Sequence, residues 1–201
     1  MNVRIYVEGG GNGANSKAAL RQGFEAFFHG LREMARSRRK ECRIITCGGR
    51  DAAFKLFRNA LKDHADAFNI LLVDSEEAVS ASPKEHLQNR DKWDLRDVRE
   101  DQCHLMVQTM EAWLIADKDA LARFYGQNFQ PSALPATPNV EQIEKPVLSR
   151  ALNAATRRTQ KGEYHKIQHG PKILAIIDAS KVCAAAPHCE RLFSTIEQKL
   201  K

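Results

Sequence analysis

The sequence predicts an α/β protein: a mainly parallel four-stranded sheet flanked by helices, with a helical C-terminal part. Over the first 74 residues, short apolar segments alternate with amphipathic helical patterns, which is typical of right-handed crossovers in a parallel sheet. Beyond the proline-containing stretch at residues 126–146, the pattern is helical. We therefore divide the chain into an α/β domain, residues 1–125, and a helical extension packed on it, residues 126–201.

The first predicted strand, residues 3–7, is rich in β-branched and aromatic side chains and stops at Glu8. A glycine-rich loop at residues 9–13 cannot continue the strand. Ser16 is predicted as the N-cap of a long helix. Its buried stripe at helical spacing consists of Leu20, Phe24, Phe27, Phe28, Leu31 and Met34.

The same rules place the remaining elements. Strands are predicted at residues 42–47, 68–73 and 104–107, and helices at residues 50–65, 111–116, 118–125, 147–158 and 172–201, the last with a break near Pro187. Asp117 is expected to cap the helix that follows it. Residues 75–102 form a long, charged connection, and because such connections are usually functional or mobile, we expect it to fold over a substrate.

Carboxylates follow two of the predicted strands. Glu8 ends the first strand, and Asp74 and Glu76 follow the third. If these strands are neighbours, the three acids meet at the carboxyl edge of the sheet, where open α/β sheets bind ligands. Their mutual repulsion favours a cation, and oxygen ligands suit Mg²⁺ or Mn²⁺. Taken singly, each acid could instead serve a turn or a helix N-terminus.

This arrangement resembles the toprim domain of topoisomerases, bacterial primases and nucleases of the overcoming-lysogenization-defect group. The toprim pattern is a strand ending in Glu-Gly and a later strand ending in Asp-x-Asp, found here as Glu8-Gly9 and as Asp74-Ser75-Glu76, with Glu in the last position. More narrowly, the chain is similar to a bacterial toprim-like family described as a domain of unknown function. Its motifs Val-Glu-Gly, Leu-Val-Asp-x-Glu, Met-Glu-Ala-Trp-Leu and His-Gly-x-Lys occur at residues 7–9, 72–76, 110–114 and 169–172.

The resemblance implies a metal-dependent nuclease, the effector of a bacterial anti-phage defence system. Glu8, Asp74 and Glu76 would hold Mg²⁺ or Mn²⁺, and Glu8 would also move a proton. Glu111 is a further catalytic candidate, with a helix-terminal acid as the alternative. Lys172, or Lys166 in its place, would stabilise transition-state charge, with a surface lysine as the alternative.

The implied partners are nucleic acid and an ATPase of the ABC or overcoming-lysogenization-defect type, and a homodimer stays open. The net charge of +6 favours a polyanion, although basic helix faces are often only solvated. A different hypothesis is a non-catalytic toprim-like protein that binds nucleic acid or docks on an ATPase. A topoisomerase reaction is poorly supported, because Tyr6 lies within a strand and Tyr125 and Tyr164 lie in the helical part.

Other classes fit the sequence less well. Residues 9–14 match the dinucleotide pattern, but Glu8 would face a pyrophosphate and the second strand lacks a ribose-binding acid. Five cysteines without a Cys-x-x-Cys pair indicate reduced thiols. We find neither an apolar run of about 20 residues nor a signal peptide, so a cytoplasmic protein without a membrane partner is expected.

Overall fold

The structure is a computed structural model that describes residues 1–11 and 13–201. Asn12, which belongs to the predicted glycine loop, lies outside the described residues. The described part contains a four-stranded, all-parallel sheet flanked by helices, with further helices in the C-terminal part. The predicted fold class is therefore confirmed.

The sheet has the strand order β2-β1-β3-β4. Its strands are β1 (Val3–Glu8), β2 (Cys42–Gly48), β3 (Phe68–Asp74) and β4 (Cys103–Met106). All seven residues of β3 are buried, as expected for a strand covered on both faces. β1 and β3 are thus the central strands, and the carboxyl ends of all four strands share one edge of the sheet.

The helices lie on both faces of the sheet. They are α1 (Ala14–Phe27), α2 (His29–Ser37), α3 (Arg50–Asp63), α4 (Pro83–Asp91), α5 (Glu111–Ala116), α6 (Lys118–Tyr125), α7 (Lys145–Thr156), α8 (Gly170–Leu174), α9 (Ala179–Ala185) and α10 (Pro187–Leu200). The expected cap of α6 is confirmed, because the Asp117 side chain accepts a hydrogen bond from the Ala120 backbone N. α4 shows that the long charged connection contains a helix of its own.

The prediction of one long helix beginning at Ser16 is wrong. Gly13 is the N-cap of α1, and the Ser16 hydroxyl donates back to Gly10 O at 2.5 Å, which ties the glycine loop to the helix. The helix breaks at Phe28, whose backbone leaves the helical path at ψ 19°. The break buries both Phe27 and Phe28, and each packs against Phe193 of α10.

The C-terminal helices share a hydrophobic core with α1, α2 and one face of the sheet. Trp113 of α5 is fully buried and stacks on Phe27 with ring centroids 5.4 Å apart. Gly23 lets α8 approach α1, because a Cβ there would lie 2.6 Å from Pro171 O. The C-terminal part is therefore packed on the sheet, while the domain boundary at residue 125 stays a prediction.

Among the described residues, no helix has both the length and the apolar character needed to cross a membrane. The cysteines are free thiols, in agreement with the sequence prediction.

Candidate functional site

Glu8 and Asp74 lie side by side at the carboxyl edge of the sheet. β1 and β3 pair in parallel, with Val7 opposite Leu72, so the two acids end adjacent strands. Glu8 Oε2 accepts a hydrogen bond from the Asp74 backbone N at 3.2 Å. The predicted neighbourhood of these strands, and the meeting of these two acids, are therefore found in the structure.

The two acids line a cavity of about 330 Å³. Glu76 and Lys166 also line it, together with the glycine backbones at residues 9–11 and 48–49. α1 and α3 begin beside these glycines, and neither helix has a side-chain cap at its N-terminus. Uncapped N-termini leave backbone N–H groups and the positive end of each helix dipole available, which favours an anion. The cavity thus combines carboxylates with a rim suited to phosphate.

Two glycines hold the loops of this rim together. Gly9 N donates to Gly48 O at 2.7 Å, and Gly48 N donates to Gly9 O at 3.0 Å. Both glycines have positive φ, 126° and 91°, which residues with a side chain rarely adopt. A Cβ on Gly48 would also lie 2.9 Å from Gly11 O. The pairing therefore requires glycine at both positions and fixes the loop beside Glu8.

Arg50, which the sequence analysis did not single out, anchors the acids from the start of α3. Its Nη1 lies 3.0 Å from Glu8 Oε2 and donates to Asp74 O at 2.5 Å. Its other nitrogens bind both oxygens of Asp91 in α4 at 2.8 and 2.7 Å, and its guanidinium lies over the Trp93 ring. An arginine in the first turn of a helix opposes the helix dipole, and that feature could have flagged it.

Burial shapes the protonation of the two strand-end acids. It raises the pKa of Glu8 to about 7, and the neighbouring Asp74 charge adds to this rise while Arg50 opposes it. Burial also raises the pKa of Asp74, although Lys166 and the hydrogen bond from Met110 N at 2.8 Å act against the rise. Glu8 can therefore gain or lose a proton near neutral pH.

Lys166 bridges Asp74 and Glu111. Its Nζ lies 3.4 Å from Asp74 Oδ2 and 3.3 Å from Glu111 Oε2. Glu111 also accepts hydrogen bonds from Thr109 and, at 2.9 Å, from the Tyr164 hydroxyl. Burial raises the pKa of Glu111, but Lys166, the hydrogen bonds from Thr109 and Tyr164 and a backbone hydrogen bond together lower it overall. The structure therefore brings Glu111 to the site as an anion with three partners.

Glu76 lies on the same cavity but is held by another lysine. Its carboxylate forms an ion pair with Lys145 of α7, and its backbone takes the left-handed conformation with φ 66°. The backbone is fixed by a hydrogen bond from Glu76 N to Gln108 O at 3.0 Å. The structure thus places the third predicted acid at the cavity through a contact with α7, which the sequence analysis did not foresee.

Lys172 and His169 lie apart from the acids. Lys172 is exposed on α8, and Lys166 rather than Lys172 reaches Asp74. His169 is the N-cap residue of α8, and its Nδ1 accepts hydrogen bonds from the Tyr125 hydroxyl at 3.1 Å and from His165 N at 3.2 Å. The His-Gly-x-Lys motif therefore starts a helix, and the functional lysine candidate comes from the loop before it.

The acids are balanced by the protein's own cations. Arg50 contacts Glu8, and Lys145 contacts Glu76. Lys166 contacts both Asp74 and Glu111. Across residues 1–11 and 13–201, no group of three or more His, Cys, Asp and Glu side chains is arranged to hold a metal ion. In this arrangement the predicted metal ligands are engaged in ion pairs.

A family model described as a domain of unknown function, DUF4276, matches residues 7–197. The chain belongs to the DUF4276 family. The matched range begins one residue before Glu8 and includes every site residue named above, in both the α/β part and the helical part. No curated protein and no solved structure matches this DUF4276 protein.

Proposed function

We propose that this DUF4276 protein hydrolyses phosphodiester bonds in DNA or RNA with the help of Mg²⁺ or Mn²⁺. The observation that carries the proposal is the contact between Glu8 and Asp74 at the ends of adjacent parallel strands, inside a cavity with a glycine rim. The resemblance of the Glu8-Gly9 and Asp74-Ser75-Glu76 motifs to toprim nucleases supports the same activity. An anti-phage effector role, with a partner ATPase, rests on that resemblance alone.

The donor set fits a hard divalent cation in its chemistry. Glu8, Asp74 and Glu76 offer carboxylate oxygens to one cavity, and oxygen ligands suit Mg²⁺ and Mn²⁺. Burial raises the pKa of Glu8 and of Asp74, and a bound divalent cation would oppose both rises. Glu76 would join them after leaving Lys145. The ion would supply Lewis acidity toward a phosphate oxygen.

The chain's own residues would carry out the remaining chemistry. A water oxygen attacks phosphorus, the bond from phosphorus to the departing oxygen breaks, and the departing oxygen takes up a proton. Glu8, with a pKa of about 7, would accept or donate a proton in this exchange. The Lys166 ammonium would stabilise negative charge on the phosphoryl oxygens. Glycine backbones and helix N-termini at the rim would orient the phosphate.

Water is a better nucleophile here than any tyrosine. The tyrosine nearest the acids, Tyr164, donates its hydroxyl to Glu111, and burial together with the Glu111 charge raises its pKa far above the usual range. Tyr6 is buried within β1, and Tyr125 is bonded to His169. These contacts favour hydrolysis over a covalent tyrosine intermediate.

The test is nucleic-acid cleavage by the wild type, Glu8→Gln and Asp74→Asn, with single- and double-stranded DNA and RNA, in Mg²⁺, Mn²⁺ or EDTA. We expect metal-dependent cleavage that each substitution reduces by about 100-fold or more. Glu33→Gln is the matched control, because Glu33 is an exposed acid on α2 that pairs with Arg36. Equal cleavage by all four proteins would refute the mechanism.

The ion pairs of the site favour a second candidate, a non-catalytic protein that binds nucleic acid or docks on an ATPase. In that case Arg50, Lys145 and Lys166 are permanent counter-charges to the acids. The nuclease and the non-catalytic binding protein are distinguished by whether nucleic acid is cleaved. Nucleic-acid binding without cleavage, in the presence of Mn²⁺ and of the partner ATPase, would support the second.

A further inference from the structure

The strand β2 forms one edge of the sheet, and its outer side carries free backbone groups. Val3 N donates to Glu41 O at 2.8 Å, which fixes the alternation of hydrogen bonds between β1 and β2. In a parallel ladder with this register, the N–H and C=O groups of Cys42, Ile44 and Thr46 point away from β1. Among the described residues, no backbone group outside the sheet forms a hydrogen bond with these N–H and C=O groups.

The strand β4 forms the opposite edge of the sheet, and a side chain covers part of it. Arg191 of α10 donates from Nη1 to Cys103 O at 2.8 Å, so the start of β4 is covered by a side chain. Proteins normally cover, shorten or charge an exposed edge, because free backbone groups pair with other chains. The outward backbone groups of β2 receive no such side-chain contact among the described residues, so a partner strand can pair with them.

A groove of about 480 Å³ runs along β2. Arg21 of α1, Arg32 of α2 and Arg43 of the strand line it, and they outnumber the two acids of the groove, Glu25 and Glu41. The contact from Arg21 to Glu25 is long, 3.9 Å, and exposed, so it contributes little. Arg43 is exposed and forms no salt bridge with any described residue. The groove therefore offers positive charge beside unpaired backbone groups.

We propose that the β2 edge binds an extended, acidic segment of a partner protein as an additional strand. Such a segment supplies alternating N–H and C=O groups that match Cys42, Ile44 and Thr46, and its carboxylates would face the groove arginines. Strand addition of this kind gives affinity through the main chain, and the side chains give specificity. The surface lies along the side of the sheet, away from the carboxyl-edge cavity, so the proposal is independent of the nuclease activity.

Two other occupants fit less well. Phosphate oxygens only accept hydrogen bonds, so a phosphate backbone lying along β2 would leave the outward carbonyls of the strand without donors. A second copy of the chain, paired through β2, would bring two sets of groove arginines together, and like charges across an interface are unfavourable. An acidic polypeptide satisfies both the backbone groups and the charge.

The experiment uses the full chain and a blocked seven-residue peptide in which Glu and Val alternate. We expect peptide addition to slow amide hydrogen exchange at Cys42, Ile44 and Thr46, observed by NMR. Arg32→Glu and Arg43→Glu should each weaken peptide binding by about tenfold. Arg123→Glu is the matched control, because Arg123 is exposed on α6, outside the groove, and should leave binding unchanged.

Two control peptides make the test independent of protein folding. Replacing every Glu by Lys reverses the peptide charge, and N-methylation of every residue removes the N–H donors from both edges of the peptide; both changes should abolish protection. The proposal is overturned if the acidic peptide gives no protection at millimolar concentration, or if the lysine peptide binds equally well. It is also overturned if a single-stranded oligonucleotide protects these amides more strongly, or if protection rises with protein concentration alone.

Discussion

Arg50 Nη1 lies 3.0 Å from Glu8 Oε2 while the same guanidinium binds both carboxylate oxygens of Asp91. One side chain thus connects the end of β1, the start of α3 and the end of α4. Its side chain is only 15% exposed, so its charge depends on these acids for compensation. The candidate site is therefore fixed by a residue that does not belong to any of the sequence motifs.

Removing the Arg50 charge should destabilise the protein. We expect Arg50→Met to lower the free energy of unfolding by about 3 kcal/mol, because the largely buried Glu8 loses its cationic partner and Asp91 keeps only its contact with Arg90 among the described residues. It should also raise the pKa of Glu8 above its value of about 7, since Arg50 opposes the rise. Urea unfolding and a carboxyl NMR titration measure the two effects. Arg96→Met, which breaks the exposed pair with Asp94, should cost less than about 1 kcal/mol.

Lys166 should compete with a divalent cation for Asp74 and Glu111. If the proposed metal site exists, Lys166→Met should tighten Mn²⁺ binding by about tenfold, because a cation no longer has to displace the ammonium. The same substitution should reduce nucleic-acid cleavage, because charge stabilisation at phosphorus is lost. Calorimetric titration measures the affinity.

Lys172→Met is the matched control for this experiment, because Lys172 is exposed and has no salt bridge with the described residues. Its Mn²⁺ affinity and its cleavage rate should equal those of the wild type. A larger effect at Lys172 than at Lys166 would show that the solution site differs from the one described.

Gly23 should be essential for the packing of α8 on α1. Gly23→Ala should lower the free energy of unfolding by about 2 kcal/mol, because the added Cβ would lie 2.6 Å from Pro171 O. Gly30→Ala in α2 meets no atom within 4 Å and should instead stabilise the protein by roughly 0.5 kcal/mol. Thermal unfolding of the two variants compares their stabilities directly, and equal Tm values would contradict the close packing of α8 on α1.

His104 should make the protein less stable in acid. Its Nε2 donates to Asp101 O at 3.1 Å and its Nδ1 accepts from Arg191, a geometry that requires the neutral imidazole. Burial, with Arg191 and then His188 adding repulsion, lowers the pKa of His104 to about 3. Because the folded pKa lies below the unfolded value of about 6.5, the stabilisation is complete above pH 6.5 and is lost as the pH falls toward 3.

Below pH 6.5, His104 should make the free energy of unfolding fall with pH by up to about 1.4 kcal/mol per pH unit. Urea unfolding of the wild type and His104→Gln at several pH values isolates this slope, because glutamine does not titrate. His29→Gln, at an exposed position of α2, should keep the wild-type slope. Parallel curves for the wild type and His104→Gln would contradict the assignment.

The backbone of the site could be predicted from the sequence, whereas its ion pairs could not. Glu8 and Asp74 each end a strand of buried residues, and this local pattern is enough to place them at one sheet edge. Arg50, Lys145 and Lys166 reach the acids from α3, α7 and the loop before α8. The hydrophobic periodicity of the sequence does not indicate which basic side chain contacts which acid. The sequence motif therefore predicts Lys172, whereas Lys166 contacts Asp74.

The break at Phe28 shows a similar limit. Phe27 and Phe28 fit one continuous helical stripe, but the helix is interrupted at Phe28, where both rings pack against Phe193 of α10. The residue type of Ser16 predicts a cap, but its hydroxyl donates to Gly10 O in the glycine loop. The contact with Phe193 is long-range, and the contact of Ser16 with Gly10 depends on the loop conformation; the sequence pattern contains neither.

The ion pairs of Arg50, Lys145 and Lys166 also bear on how the polypeptide matures. Since built-in cations already offset the repulsion among the acids, the chain can reach its native state without waiting for an inorganic cofactor. We therefore expect the protein to accumulate in folded form in cells starved of divalent ions, so that the ion supply would limit the proposed cleavage and not folding.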